Sequence, residues 1–498
     1  MAVPHRGEAA IARPPVTRRE LLLIMSAALA AQAVSPGLVL GQTSEVAASA
    51  GSSLALSLAR FLNATRFADL PPVALEHAKM LVASTLASAA PGSRIGSAAI
   101  IRTLAKEQGG RPDATVWYDG ARLPVTEAAR VNAVQSDAAA SDDSDLRNVA
   151  HSGTTLAATG LAVGERTGAT GRELLAAIVT GYEAAGRVGE ALVNRAGFHA
   201  SVIVAFGGSV AAARLLGLTD VETAHAISLT ATTMGGLGIG TNSWAREYHA
   251  GNAALTAVNA ALAAGRGYTA NEDMLEDRRG FLAIFGGNNV DPSILTRDLG
   301  REWDIVTHLA IKLVPGAHAF HPAVEAAVNA AREANVSADQ VARILVAGPQ
   351  HRTVVGGAPP RDLIEAIHSL PYFLASAVAD RDFSWVHATP DKIASPAMAR
   401  LIGQVESDPS PPAIDYAWSW GATVTIVTTS GARYASTVDA PRGSGPRGID
   451  WRDVNAKYRA LMPDSGLPSS RIEQILDMIH RLEDVDDVSE LTRLLEPE

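Results

Sequence analysis

Long stretches of this chain carry small residues on almost every side of the helices they would form. "HSGTTLAATGLAVGERTG", "FGGSVAAARLLGLTDVETAHAISLTATTMGGLG" and "NAALTAVNAALAAGRG" are rich in alanine, glycine, serine and threonine. A helix with so little side-chain bulk gains stability only where other helices approach it closely from several directions. Charged residues make up 19 % of the sequence and hydrophobic ones 47 %, too few charges to solvate many separate helices. These proportions predict a thick, multilayered helical body or an oligomer. In "GRELLAAIVTGYEAAGRVGEAL", Leu174, Leu175, Ile178, Val179 and Tyr182 recur at helical spacing.

The pattern changes after about residue 305. "ARILVAG" at 342–348 reads as a buried strand, and the alternation over 422–440 reads as two strands turning at Ser430 and Gly431. Helices are expected between them, beginning near Pro322 and near Asp362. From Trp451 the chain returns to helix, with Ile472, Ile475, Leu476 and Ile479 on one face. Strands confined between helical blocks imply an inserted α+β domain. At the other end, Arg18 and Arg19 precede the apolar run Leu21 to Ala31, and small residues follow at Ala31 and Ala33. This order resembles a twin-arginine export signal, and the run is too short to span a bilayer. The expectation is a signal and linker over 1–42, export through the twin-arginine translocation machinery and a periplasmic location.

Cysteine is absent, which excludes disulfides, thiolate metal sites and cysteine nucleophiles. A formal charge of −10 without basic runs beyond the N-terminus argues against a nucleic-acid partner. "GGLGIGTN" lacks the strand context of a dinucleotide loop and reads as a helix break, and the chain has no phosphate-binding loop, zinc-protease motif or serine elbow. His318 and His321 have ligand spacing, but no acidic partner lies nearby in sequence and Pro322 follows directly. No metal or other cofactor is therefore expected. The polar positions that remain are scattered: "SDDSDLRNVAHSG" at 141–153, "GFHAS" around His199, "NSWAREYHAGNAA" around Arg246 and His249, "KLVPGAHAFHPAVEAA" around Lys312, His318 and His321, and "HSLPY" at His368.

The motifs "GYEAAGRV", "GFHAS", "HAGNAA", Lys312 and Pro315 before "HPAVEAA", and "HSLPY" together resemble the MmgE/PrpD family in order and spacing over residues 53–495. The resemblance implies a mainly α fold, in which a large all-helical domain formed by 53–305 and 447–498 carries an inserted α+β lid over 306–446. It also implies a homodimer and a metal-independent site between body and lid, acting on a small di- or tricarboxylate. His151 matches the family histidine and Asp143 one aspartate of the D-F-D-D-T stretch. Ser141 or Asp142 takes the first aspartate's place, depending on the alignment, and Asp145 the threonine's. Arg246 replaces a lysine common in the family, and the histidine that follows the proline in the decarboxylases falls at Ala317, one residue before His318.

Taken alone, "SDDSDLRNVAHSG" reads as a solvated loop that caps the helix opening at "HSGTTLAA". The family match instead makes His151 the proton carrier, because an imidazole titrates near neutrality. Asp142 and Asp143 are then its supports, with Lys312 as a second proton-handling group. Arg246 stays protonated and can only clamp a carboxylate. His199, Asp145, Arg147, His249, His318 and His321 complete the expected substrate contacts, with Arg147 alternatively pairing with a neighbouring aspartate, and His368 and Tyr372 are assigned to lid packing. The function expected is a lyase that dehydrates or decarboxylates a small polycarboxylate such as a 2-methylcitrate-like acid. Two alternatives remain open at this level: an epimerase or isomerase using His151 and Lys312 on opposite faces, and an exported carboxylate-binding protein without catalysis.

Overall fold

The computed structural model describes residues 52–192 and 197–497, so the export signal expected over 1–42 lies outside the described residues. The chain from Ser52 onward clusters as one compact unit. No helix among the described residues is long and apolar enough to cross a membrane.

Helices Pro72–Gly92, Val125–Ala138, Ser152–Thr167, Gly171–Ala191, Ser201–Leu215 and Ala245–Ala264 form the layered centre of this unit. Helix Ser201–Leu215 is buried at every position but Arg214, and Gly171–Ala191 at all but three, so the stripe expected on the latter is part of a helix enclosed nearly all round. The small residues explain how. A Cβ added at Gly207 would lie 2.5 Å from the carbonyl oxygen of Gly181 on the neighbouring helix, so the two backbones touch where both chains have no side chain.

The C-terminal helices Trp451–Leu461 and Ser469–His480 return to this body. Val454, Tyr458, Ile472, Ile475, Leu476 and Ile479 share one apolar core with Leu81, Leu86, Leu161 and Ile178. A separate apolar core gathers residues 323–438 around a four-stranded sheet. Its order is β6 (Val405–Ser407), β5 (Val341–Ala347), β7 (Ala422–Thr428), β8 (Arg433–Val438), with β5 and β6 parallel and the other pairs antiparallel. β7 is buried along its whole length, whereas β8, at the sheet's edge, is exposed at every other position, the alternation of a strand with one solvated face. Helices His321–Ala334 and Leu370–Asp380 cover the sheet.

Two short pairings escaped the sequence reading. β1 (Ala114–Thr115) pairs with β2 (Arg122–Leu123), and β3 (Asp143–Asp145) pairs antiparallel with β4 (Leu309–Ile311). The second pairing corrects the solvated-loop expectation: Asp142, Asp143 and Asp145 are each no more than 1 % exposed.

If close backbone approach holds the helical layers together, Gly207→Ala should destabilise the fold by about 1–3 kcal/mol through overpacking. Chemical denaturation should register this as a lowered midpoint with an unchanged slope.

Candidate active site

The β3–β4 pairing decides which side chains meet. Asp143 faces Ile311 in register, and one step further the backbone N–H of Lys312 donates to the Asp142 carbonyl at 3.1 Å. The two residues are thereby fixed side by side although 170 positions separate them. Lys312 Nζ then donates to Asp142 Oδ1 at 2.8 Å, and His151 Nδ1 lies 2.7 Å from Asp142 Oδ2. The same Nδ1 is 2.6 Å from the carbonyl oxygen of Asp143. Asp142 Oδ2 and the Asp143 carbonyl can only accept, and the Ser144 hydroxyl 3.4 Å away can turn to either role, so Nδ1 carries a proton and Nε2 is left for chemistry.

Asp143 does the capping that the sequence suggested, from a buried position: its Oδ1 accepts the Gly153 N–H at 2.9 Å, two residues into helix Ser152–Thr167. Ala140 and Val149, with φ of +49° and +59°, bracket the cluster in left-handed backbone. For a β-branched valine that conformation is costly, and such strain collects at functional sites.

The charges of this cluster shift one another. Burial disfavours the Asp142 carboxylate, but His151 and Lys312 outweigh it and hold Asp142 well below the usual carboxylate range. Burial likewise opposes charge on His151, and the Asp142 carboxylate reverses this and raises the imidazole above its ordinary value. Asp143 is pushed up to about 7 by burial and by Asp142. One residue of separation thus gives one carboxylate that stays charged and one that holds its proton near neutrality.

Further cations surround the pair. Arg246 places Nε 3.0 Å from Asp137 Oδ2, and its Nη2 donates to the carbonyls of Asp137 and Ala138 at 2.8 and 3.0 Å. This guanidinium is turned onto the protein's own chain, which differs from the open clamp expected of it. Lys457, from helix Trp451–Leu461, donates to Ser84 Oγ at 2.6 Å, to the Ser141 carbonyl and to the Asp142 carbonyl at 3.3 Å. The rings of His318 and His321 lie 4.5 Å apart with Trp420 beside them, and burial keeps both imidazoles neutral, His321 down to about 3. Among the described residues, neither nitrogen of His318 has a hydrogen-bond partner, nor does Nε2 of His321. Buried donors and acceptors left open in this way are what a polar ligand would satisfy.

Other expected residues stand apart. Asp145 and Arg147 are not brought to the cluster: Arg147 pairs with Asp145 at 2.9 Å, Asp304 at 2.9 Å and Glu190 at 2.7 Å in a separate ion network. His199 bonds Ser201 Oγ through Nδ1 at 3.0 Å and lies 5.0 Å, centroid to centroid, from His249, which burial lowers below its ordinary value. His368 has its Nδ1 3.1 Å from the Ile364 carbonyl and feels the charges of Arg246, Lys312 and His151. Asp137 and Lys457 were not singled out from sequence. Lys457 did leave a signal, because it shares the stripe Val454, Tyr458 and Leu461, where an unpaired lysine does not belong.

Ligand atoms of Asp137, Asp142 and His151 lie within 4.8 Å of one another, a spacing that could hold a metal ion. Both carboxylates, however, already face cations, Arg246 and Lys312. A divalent ion would have to displace two buried positive charges, so the donor set fits an anion's surroundings better than a metal's.

A helical body, a β-sheet region and a buried cluster of lysine, histidine and aspartate define the class of protein in hand. The MmgE/PrpD N-terminal domain matches residues 56–293 and the MmgE/PrpD C-terminal domain residues 315–484, and the chain belongs to the MmgE/PrpD family. It is 25 % identical to human cis-aconitate decarboxylase over 89 % of this chain and 94 % of that protein. With cis-aconitate decarboxylase of Mus musculus the identity is 26 %, over 76 % and 80 % of the two chains, and with that of Aspergillus terreus 26 %, over 86 % and 92 %.

Two outcomes test these electrostatics. Asp142→Asn should leave Lys312 and His151 buried without their counter-ion, at a cost of about 3–5 kcal/mol on chemical denaturation. Because the raised His151 value adds stability below pH ~6.5 and loses it as pH rises through the folded value, the variant should also lack that component. The buried histidines act oppositely. His318 and His321 are lowered as described, and burial lowers His351 and His368 to about 4. The unfolded chain therefore binds protons that the fold refuses, and thermal stability should fall as pH drops from ~6.5 towards ~4.

Proposed function

We propose that the protein is a cofactor-independent lyase that removes carbon dioxide from a small unsaturated tricarboxylate of the cis-aconitate type. Membership of the MmgE/PrpD family and the decarboxylase names of its relatives support a carboxylate lyase. The observation that carries the reading is the His151 imidazole with Nδ1 2.7 Å from the buried Asp142 carboxylate, which raises it above its ordinary value and leaves Nε2 on the other side of the ring.

Loss of carbon dioxide breaks one carbon–carbon bond and leaves its electron pair on the remaining carbon skeleton, where a neighbouring carboxylate and double bond spread it. His151 Nε2 then delivers a proton to carbon, and solvent returns one to the imidazole. Lys312 steadies the developing charge, and His318 and His321 offer neutral N–H donors to the substrate carboxylates. Dehydration needs a base for the carbon-bound proton as well as an acid for the hydroxyl, whereas decarboxylation needs only one proton donor, the role His151 is placed to fill. The epimerase alternative calls for two groups across a cleft, but His151 and Lys312 are gathered on one carboxylate.

Purified protein incubated with cis-aconitate should release carbon dioxide, and His151→Ala should lower kcat by about 10²–10⁴-fold. Turnover of hydroxylated tricarboxylates with water loss and no carbon dioxide would replace the reading with a hydro-lyase. Thermal stabilisation by several tricarboxylates with no turnover would make the protein a carboxylate binder instead.

A further inference from the structure

Lys457 is a basic residue in the cluster that neither the sequence motifs nor the proposed chemistry uses. It is 2 % exposed. Its three oxygen partners, Ser84 Oγ and the carbonyls of Ser141 and Asp142, match the three donors of an ammonium. Two of these partners belong to the backbone that carries Asp142, and the third to helix Pro72–Gly92. Burial lowers Lys457 to about 7, with Lys312 adding to the fall and Asp142 and Asp143 opposing it.

The backbone leading to Asp142 is held carbonyl by carbonyl. The Ser136 carbonyl accepts from Ser88 Oγ, those of Asp137 and Ala138 from Arg246, that of Ala139 from Ser141 Oγ, and that of Ala140 from the Gly316 N–H. Lys457 takes the Ser141 carbonyl and shares that of Asp142 with the Lys312 N–H, at the residue whose carboxylate orders His151. Without it the Ser141 carbonyl would face the interior with no donor among the bonds described, and a buried orphan of that kind drives the chain to move.

We propose that Lys457 is a positioning residue of this site, whose ammonium fixes the Ser141–Asp142 backbone and so holds the Asp142 carboxylate between Lys312 and His151. The inference rests on the proposed lyase reading for its kinetic consequence and on geometry alone for its structural one. Lys457 also lines a solvent-open cleft of about 400 Å³ with His321 and Trp385, which gives small amines a route to the position.

The test is Lys457→Met in the full chain, read by imidazole NMR with the His151 signal assigned from its loss in His151→Asn. A misplaced Asp142 should lower the His151 pKa by about one unit. Removal of a nearby positive charge alone would move it upward, so the sign separates positioning from simple electrostatics. In the lyase assay kcat should fall roughly 10²-fold while KM changes less than about threefold. Lys457→Ala should regain activity with added propylammonium, and should regain the His151 pKa as well. A folded Lys457→Met with the His151 pKa unchanged or raised overturns the proposal, as does failure of both variants to fold, which would assign Lys457 to stability. Absence of turnover in the unsubstituted protein would overturn the lyase reading alone, because the NMR result decides the positioning role independently.

Discussion

The buried Asp142 carboxylate is the interaction on which the rest of this structure turns. A lone carboxylate without exposed surface would be expelled or protonated, and this one is kept charged by a lysine on one oxygen and an imidazole on the other. Neither cation is affordable in the interior without it. The three residues are therefore stable only as a set, and the set brings together a loop, a helix start and a strand end that lie far apart in sequence. Around it the fold supplies what such a set requires: backbone carbonyls held by Arg246 and Lys457, and a helix terminus capped by Asp143.

The helical body was readable because helices announce themselves by period, and the residues Ile472 to Ile479 lie buried on the face their spacing foretold. The break at Gly235 to Gly240 and the hairpin turning at Ser430 and Gly431 were equally plain, since glycine marks both. β3 was not, because its sequence is Asp-Ser-Asp, the composition of a loop, and its strand character exists only through Leu309–Ile311 far along the chain. Propensity cannot foresee a ladder that tertiary contact creates.

The site was legible in part for the same reason. His151, Asp142 and Lys312 could be named from their motifs, but their shared carboxylate depends on the register of two three-residue strands. The aspartates at 142, 143 and 145 show how little proximity in sequence decides. One binds two cations, one caps a helix and holds its proton near neutrality, and one joins Arg147 in another network. Arg246 was read as a clamp for a ligand, and its guanidinium also holds the chain, which sequence could not show because its partner Asp137 sits on a different helix.

The anchorage of Lys457 has a bearing on how the protein comes into being. Its bond to the Ser141 carbonyl joins residues 316 positions apart, so the cluster lacks a member until translation has passed the helix Trp451–Leu461. A nascent chain can collapse its early helices well before then, since their contacts are largely among themselves. It does so with the Ser141 carbonyl waiting in the interior for a donor made much later. Assembly of this centre is thus coupled to the arrival of the C-terminal helices, and a chain released before Trp451 lacks both this anchor and the part of the apolar core that Val454, Tyr458 and Ile472 supply.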